Sequence, residues 1–292
     1  MVSALYALCP AAYTPPVPVI ARVTLRRHDA AMWLRLRQIA FVARELRPVI
    51  DDLVAVLGIE PCYVDPGVAT FGLENTLMPV GNQFIEVVAP VADATAGGRY
   101  LDRRGGDGGY MVITQTDVHA RRRARAAELG VRVAWEFSTP GEYTCMQLHP
   151  RDTGATFFEI DEQLGERAHD LDGPWHPAGP NWQRAKKTDV CLGIIAAELQ
   201  VDDPQATAKR WGDIAEIDVV DDDNAIPCVV LDNATLRFVP ITDGRGEGLS
   251  GIDIDVVSIN EVECRARERG RWDAENHFVR IGGMRIKPCS MA

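Results

Sequence analysis

Along this chain the hydrophobic positions switch repeatedly between the two-residue period of a half-buried strand and the three-to-four spacing of an amphipathic helix. Leu36-Arg37-Gln38-Ile39-Ala40-Phe41-Val42 alternates and predicts a strand. Leu46, Val49, Ile50, Leu53, Val54 and Leu57 then follow helical spacing, and Gly58 is a helix-ending residue. Further strands are predicted near Tyr63-Val64 and over 68–73 and 83–88. The sequence then starts again. Gly109-Tyr110-Met111-Val112-Ile113 opens a second unit, with an Arg-rich helix over 118–129 and strands over 131–137, 144–148 and 156–160. Pro140-Gly141 and Asp152-Thr153-Gly154 are its turns. A third unit has a strand over 192–201, a helix from Asp203-Pro204 to Gly212, and strands over 216–220, 228–231 and 235–239. A fourth begins at Gly251-Ile252-Asp253-Ile254-Asp255-Val256-Val257, with a helix over 261–269 and strands over 277–281 and 284–286. It is the shortest and reads as having lost a strand.

Four repeats of strand, helix and short strands predict an α+β fold. Between units two and three runs a stretch rich in proline and glycine, from Asp172 to Trp182, whose two tryptophans imply that it packs on something. The expected division is an extension over 1–31, a first domain over 32–166, a linker over 167–187 and a second domain over 188–292. Met1 to Val19 holds small apolar residues and prolines without a positive n-region, so a loosely ordered extension is expected there, not a signal peptide, and Met32 is a candidate start.

Bulk properties bound the function without naming it. The chain has 292 residues, 46% of them hydrophobic, enough for two cores. A net charge of -11 argues against nucleic acid or an anionic membrane as the main partner. No apolar run reaches the ~18 residues of a membrane span. The seven cysteines are scattered, with no C-x-x-C pair, which points to reduced thiols in a cytoplasmic protein.

The candidate chemistry lies in two similar strands. Phe84-Ile85-Glu86-Val87-Val88 and Phe157-Phe158-Glu159-Ile160-Asp161 each set a carboxylate in an apolar run. Burying a carboxylate is costly unless it is paired, hydrogen-bonded or metal-bound, so Glu86 and Glu159 are the leading site candidates. His149, beside Pro150, and His176, in the linker, are candidates to line a cavity. His119 falls on an Arg-rich helix and reads as part of a solvated face. Gly105-Gly106-Asp107-Gly108-Gly109 precedes a strand and opens no helix, so it is expected to be a flexible connection able to gate a cavity, not a phosphate loop. Asp221-Asp222-Asp223 lacks calcium-loop spacing and reads as a turn.

Four βαβββ units in two pairs resemble the vicinal oxygen chelate superfamily, which includes glyoxalase I, methylmalonyl-CoA epimerase, bleomycin-resistance proteins and extradiol dioxygenases. Three passages carry the likeness: Leu36 to Gly58; Phe71-Gly72-Leu73-Glu74-Asn75 through Pro79-Val80-Gly81-Asn82-Gln83-Phe84-Ile85-Glu86-Val87-Val88-Ala89-Pro90; and Leu148-His149-Pro150-Arg151-Asp152-Thr153-Gly154 into Phe157-Phe158-Glu159. They lie within residues 34–163; residues 188–288 match by pattern only. The resemblance implies two cup-shaped sheets, with metal ligands on the opening and closing strands of each unit. Mapped here, it implies Gln38, Glu86 and Glu159 as ligands, with Glu86 and Glu159 also catalytic. Tyr110 at the fourth position departs from the family, since a neutral phenol is a poor ligand; it joins His149 and His176 as a cavity residue. Such an oxygen-only set favours Mg²⁺, Mn²⁺ or Ca²⁺. By register, Phe238 and Ile286 stand where units three and four would carry their carboxylates, so the second domain is expected to be structural, without a metal set, which counts against an extradiol dioxygenase. The implied function is a metal-dependent lyase or isomerase acting, as monomer or homodimer, on a small molecule with vicinal oxygens. The alternative is a non-catalytic small-molecule binding protein, or a scaffold whose cup holds no metal.

Overall fold

The computed structural model describes residues 32–291. The predicted extension over 1–31 lies outside the described residues. In chain order the first half carries β1 (Leu34–Val42), α1 (Leu46–Leu57), a 3-10 helix (Pro66–Phe71), β2 (Leu73–Val80), β3 (Gln83–Pro90), α2 (Ala96–Arg104), β4 (Gly108–Thr116), α3 (His119–Glu128), β5 (Val133–Thr139), β6 (Tyr143–Leu148), α4 (Pro150–Thr153) and β7 (Phe157–Gln163). The second half carries β8 (Cys191–Val201), α5 (Pro204–Ala215), β9 (Val219–Asp221), β10 (Pro227–Val230), β11 (Thr235–Pro240), β12 (Gly248–Val256), α6 (Ile259–Glu268), β13 (Trp272–Asp273), β14 (Phe278–Ile281) and β15 (Met284–Cys289). They form two mixed sheets, in the orders β2-β3-β1-β4-β7-β6-β5 and β13-β14-β15-β12-β8-β11-β10-β9. In each sheet the two opening strands pair antiparallel at the centre, and each takes its own unit's closing strand as a parallel neighbour. The architecture is α+β, four units in two sheets.

The details depart from expectation in several places. The strand expected over 68–73 is the 3-10 helix Pro66–Phe71: Asp65 accepts from the Gly67 amide, and Pro66 occupies the first helical turn. Unit one is therefore the unit short of a strand, keeping only an isolated bridge between Tyr63 and Leu77, while unit four has all three, β13 being two residues long. The pattern also concealed α2, capped by Thr95 and ended by Gly105 at φ 73°. Helix α5 runs past Gly212 to Ala215, and a Cβ at Gly212 would lie 2.7 Å from the Ile217 carbonyl. Glycine there admits the returning chain and does not stop the helix. The glycine run over 105–109, expected to be flexible, is anchored to the second domain: the Arg245 guanidinium donates to the carbonyls of Gly106 and Asp107, and Gly109 lies beneath Leu249. Of the Asp221-Asp222-Asp223 stretch, Asp221 ends β9 and the turn follows it, with Asp222 accepting from the amides of Asn224 and Ile226.

The convex faces of both sheets share one apolar core with α1, α3, α5 and α6. Helix α1 packs on α6, and α3 on α5. Each domain also supplies an amide side chain to the other's central strand. Gln83 donates to the Ile194 carbonyl and accepts from the Ile194 amide, both at 2.7 Å. Asn233 does the same for Leu36, at 2.9 and 2.8 Å. These bonds serve the irregular points of β8 and β1, where the ladders shift register and leave backbone groups without strand partners. The Arg-rich helix α3 is solvated on the side of Arg121 and Arg123, but the face bearing His119 and Arg122 is an inter-domain contact. Arg122 is 1% exposed and donates to the Ala215 carbonyl at the end of α5, and His119 is buried. Cys62, Cys145, Cys191, Cys228 and Cys289 form no disulfide, and among the described residues no helix is long and apolar enough to cross a membrane.

Candidate active site on the first concave face

Strand alternation alone would send Arg37 and Gln38 to opposite faces. The ladder between β1 and β4 pairs Leu36 with Thr114 and Gln38 with Ile113, leaving Arg37 as an extra residue. This bulge lets both Arg37 and Gln38 reach the concave side. A second bulge sits on β4, where Ala40 pairs with Met111 and Phe41 with Gly109, so Tyr110 is the extra residue. Counted from the two bulges, the counterpart of Gln38 is Met111. The position assigned to Tyr110 from sequence is therefore off by one, since a bulge leaves no mark in hydrophobic alternation. Tyr110 still faces the cup, packed edge-on against Tyr100 and Phe157 at ring distances of 5.2 and 5.3 Å. Burial pushes its hydroxyl up to about 12.

Glu86 and Glu159 occupy equivalent places, paired across the parallel ladders with Ala40 and Ile113. Glu86 is 8% exposed and accepts at both oxygens, from Asn75 Nδ2 at 2.6 Å and Gln38 Nε2 at 2.9 Å. Neither amide is free to turn over. Asn75 Oδ1 accepts from the Asp65 amide at 3.0 Å, and Gln38 Oε1 accepts from Trp175 Nε1 at 2.9 Å. Glu86 is thus framed by two fixed donors. Burial nevertheless pushes it up to about 7, outweighing the two amides that favour the ionised form.

Glu159 faces Gln147 across the β6–β7 ladder and is also raised to about 7, by burial and by the charge of Glu86, against the Gln147 amide. Two residues on, and on the same face, stands Asp161, fully buried and raised well above the carboxylate range by burial and by Glu159. Its Oδ2 accepts from the Tyr143 hydroxyl at 2.6 Å. Glu159 Oε2 and Asp161 Oδ1 are buried without a donor from outside the pair, and the two carboxyls hydrogen-bond each other when one holds a proton. Asn75, Tyr143, Cys145 and Asp161 are site residues that sequence reasoning missed. Asp161 was within reach, since positions 159 and 161 of one strand must share a face.

The linker fills this face. Trp175 and Trp182 are each 1% exposed and lie with Ala178 among Ala40, Phe84, Tyr110, Tyr143 and Cys145. Arg37 sits between them, its guanidinium 5.3, 5.4 and 5.6 Å from the rings of Phe84, Trp175 and Trp182. It also donates to the carbonyls of Leu171 and Gly173. Burial and neighbouring Arg35 lower its pKa to about 9. Arg35 holds the linker too, donating to the carbonyls of His169 and Asp170. At the mouth His176 stacks on Tyr143 at 4.8 Å and meets Glu142 Oε1 at 3.2 Å. The rings of Phe71 and Trp135, 5.1 Å apart, bring the two edges of the sheet together. His149 does not serve this site in the arrangement seen: its Nδ1 accepts from the Arg151 amide as the cap of α4.

The second concave face is different. Phe238 and Ile286 point into the shared core, so they do not replace the glutamates. The ladders pair Glu198 with Arg237 and Asp253 with Lys287, as Ala40 pairs with Glu86 and Ile113 with Glu159. Arg237 and Lys287 are therefore the true counterparts, and the alternation was read one residue out. Arg237 is clasped by Asp253 at 2.8 and 3.0 Å, and Arg285 by Glu198 at 2.6 Å.

No family model and no curated protein matches the chain. Among solved structures, a 4-hydroxymandelate synthase variant from Streptomyces coelicolor aligns over 82% of this chain and 75% of its own, with 14% identity and a TM-score of 0.60. The chain has the vicinal oxygen chelate fold. Methylmalonyl-CoA epimerase from Mycobacterium tuberculosis matches a smaller part, 46% of this chain and 91% of its own, with 21% identity and a TM-score of 0.40. Both sheets share this fold, and among the described residues Arg237 and Lys287 stand in the second where Glu86 and Glu159 stand in the first.

Proposed function

We propose that the chain is a small-molecule enzyme of lyase or isomerase type, in which Glu86 moves a proton on a substrate bearing two neighbouring oxygens. The observation that supports this most is the setting of Glu86: a carboxyl raised to about 7, fixed by two amides that cannot turn over. A general acid–base group is most effective when its pKa lies near the working pH. Glu159, raised to about 7 on the same face, is the second carboxyl able to give or take a proton.

The donor set fits a divalent cation. Buried oxygens of Glu159 and Asp161 have no donor from outside the pair, and the described charge neighbours that raise or lower these groups include no cationic side chain. Glu159 would hold it, with Asp161 beside it. Gln38 would join only after its amide oxygen parts from Trp175, because that oxygen is its one ligand atom. A bound divalent ion supplies Lewis acidity for an oxyanion. The chain's own residues exclude water through Trp175 and Trp182 and aim Glu86 through Asn75 and Gln38.

The second reading is non-catalytic binding: the linker tryptophans cover the face that bears Glu86, so a ligand would be held against them without reaching that carboxyl. Deuterium exchange separates the two. Small 2-oxo and 2-hydroxy acids that alter the tryptophan fluorescence would be incubated with the protein in D2O and followed by NMR. The enzymatic reading expects exchange next to the carbonyl, reduced about 10²–10⁴-fold by Glu86→Gln. Binding without exchange in the unsubstituted protein contradicts it and leaves sequestration.

A further inference from the structure

We propose that Cys145, Glu159 and Asp161 form a three-ligand site for a zinc-class divalent cation, displaced along the sheet from the Gln38–Glu86 side of the cup. The inference rests on the reading of this face as a chemical site and gives its metal a different set of ligands. Among the described residues, one ligand atom from each of these three side chains lies within 4.8 Å of the other two, and all three residues are buried. Ligands on a tetrahedral zinc with bonds of about 2.0–2.3 Å stand roughly 3.3–3.8 Å apart, so modest side-chain rotation closes the set.

The second observation is how the carboxylates are held. Asp161 accepts at Oδ2 from the Tyr143 hydroxyl, while its buried Oδ1 and the buried Oε2 of Glu159 find no donor outside the pair, the two carboxyls facing each other. One oxygen tied and one open to the pair is the arrangement expected of a ligating carboxylate with an outer-shell donor. β6 and β7 are antiparallel neighbours with Cys145 directly opposite Asp161, so the ladder itself brings thiol and carboxylate together. A thiolate in the set selects a borderline-soft ion over Mg²⁺ or Ca²⁺. Three protein ligands leave one position open, the arrangement of catalytic zinc sites. Binding releases to solvent the thiol proton and the protons held by the neutral carboxyls of Asp161 and Glu159 as the metal–sulfur and metal–oxygen bonds form, with no change of oxidation state.

Cobalt(II) is the probe, added to chelator-stripped full-length protein and followed by absorption. The expected result is one tightly held cobalt per chain, with a thiolate-to-cobalt charge-transfer band in the near ultraviolet that zinc abolishes on displacing it. Cys145→Ser should remove the band. Asp161→Asn should weaken binding, and Tyr143→Phe should weaken it about 10–100-fold as an outer-shell change. Should Cys145→Ser fail to fold, the other two variants and the band itself carry the test. A band that survives Cys145→Ser, cobalt bound without a thiolate band, or no cobalt bound each overturns the proposal; in the last case the two carboxyls share a proton instead. Glu86→Gln separates this from the enzymatic reading, since it should reduce exchange about 10²–10⁴-fold and leave the cobalt band.

Discussion

Trp211→Ala is expected to lower the unfolding free energy by about 3–5 kcal/mol, the usual cost of emptying a buried indole site. Trp211 is fully buried on α5. It stacks on Phe158 of the first domain at 4.3 Å and meets Phe238 of the second edge-on at 5.7 Å. Its indole N–H donates to the Thr153 carbonyl, across the domain boundary, at 3.1 Å. The alanine variant therefore loses inter-domain stacking and strands a buried carbonyl together. At roughly 2–4 °C per kcal/mol for a chain of this size, the melting temperature should fall by roughly 10 °C. Calorimetry checks it. A fall of only a degree or two would mean that the domains do not depend on this contact.

Trp175→Ala has a comparable expected cost, again about 3–5 kcal/mol, but a different consequence. Trp175 packs against Arg37 at 5.4 Å and Tyr143 at 5.9 Å and donates to Gln38. Removing it opens the concave face to water and frees the Gln38 amide to turn. With less burial, Glu86 should titrate nearer the ordinary carboxylate range, because desolvation is the leading cause of its rise. Stability measured in denaturant should drop, while the association rate of cobalt(II) should increase. A lower stability with an unchanged rate would make the linker a structural plug with no part in access.

The repeat was legible in the sequence because each unit repeats the same change of period, and the two glutamate strands were legible because a lone carboxylate in an apolar run stands out. What the sequence hid was register. The bulges at Arg37 and Tyr110 each insert one residue, and one residue is enough to exchange the two faces of a strand. For this reason Met111, not Tyr110, matches Gln38. A slip of the same size in β11 and β15 put Phe238 and Ile286 forward in place of Arg237 and Lys287. The two linker tryptophans signalled packing, but their destination depends on Arg35 and Arg37, which alternation presents as ordinary outward charges. A buried arginine among aromatic rings becomes visible only when the linker has folded back on it.

Burial should hold Glu86 protonated close to neutrality on the concave face of the first domain. Infrared titration of the carboxyl stretch in chelator-treated protein, with Glu86→Gln to assign the band, tests this most directly. Burial raises the pKa, so the protonated form should persist through weakly acid pH and disappear with a midpoint of about 7. A midpoint near the ordinary glutamate value of about 4.3 would contradict the account.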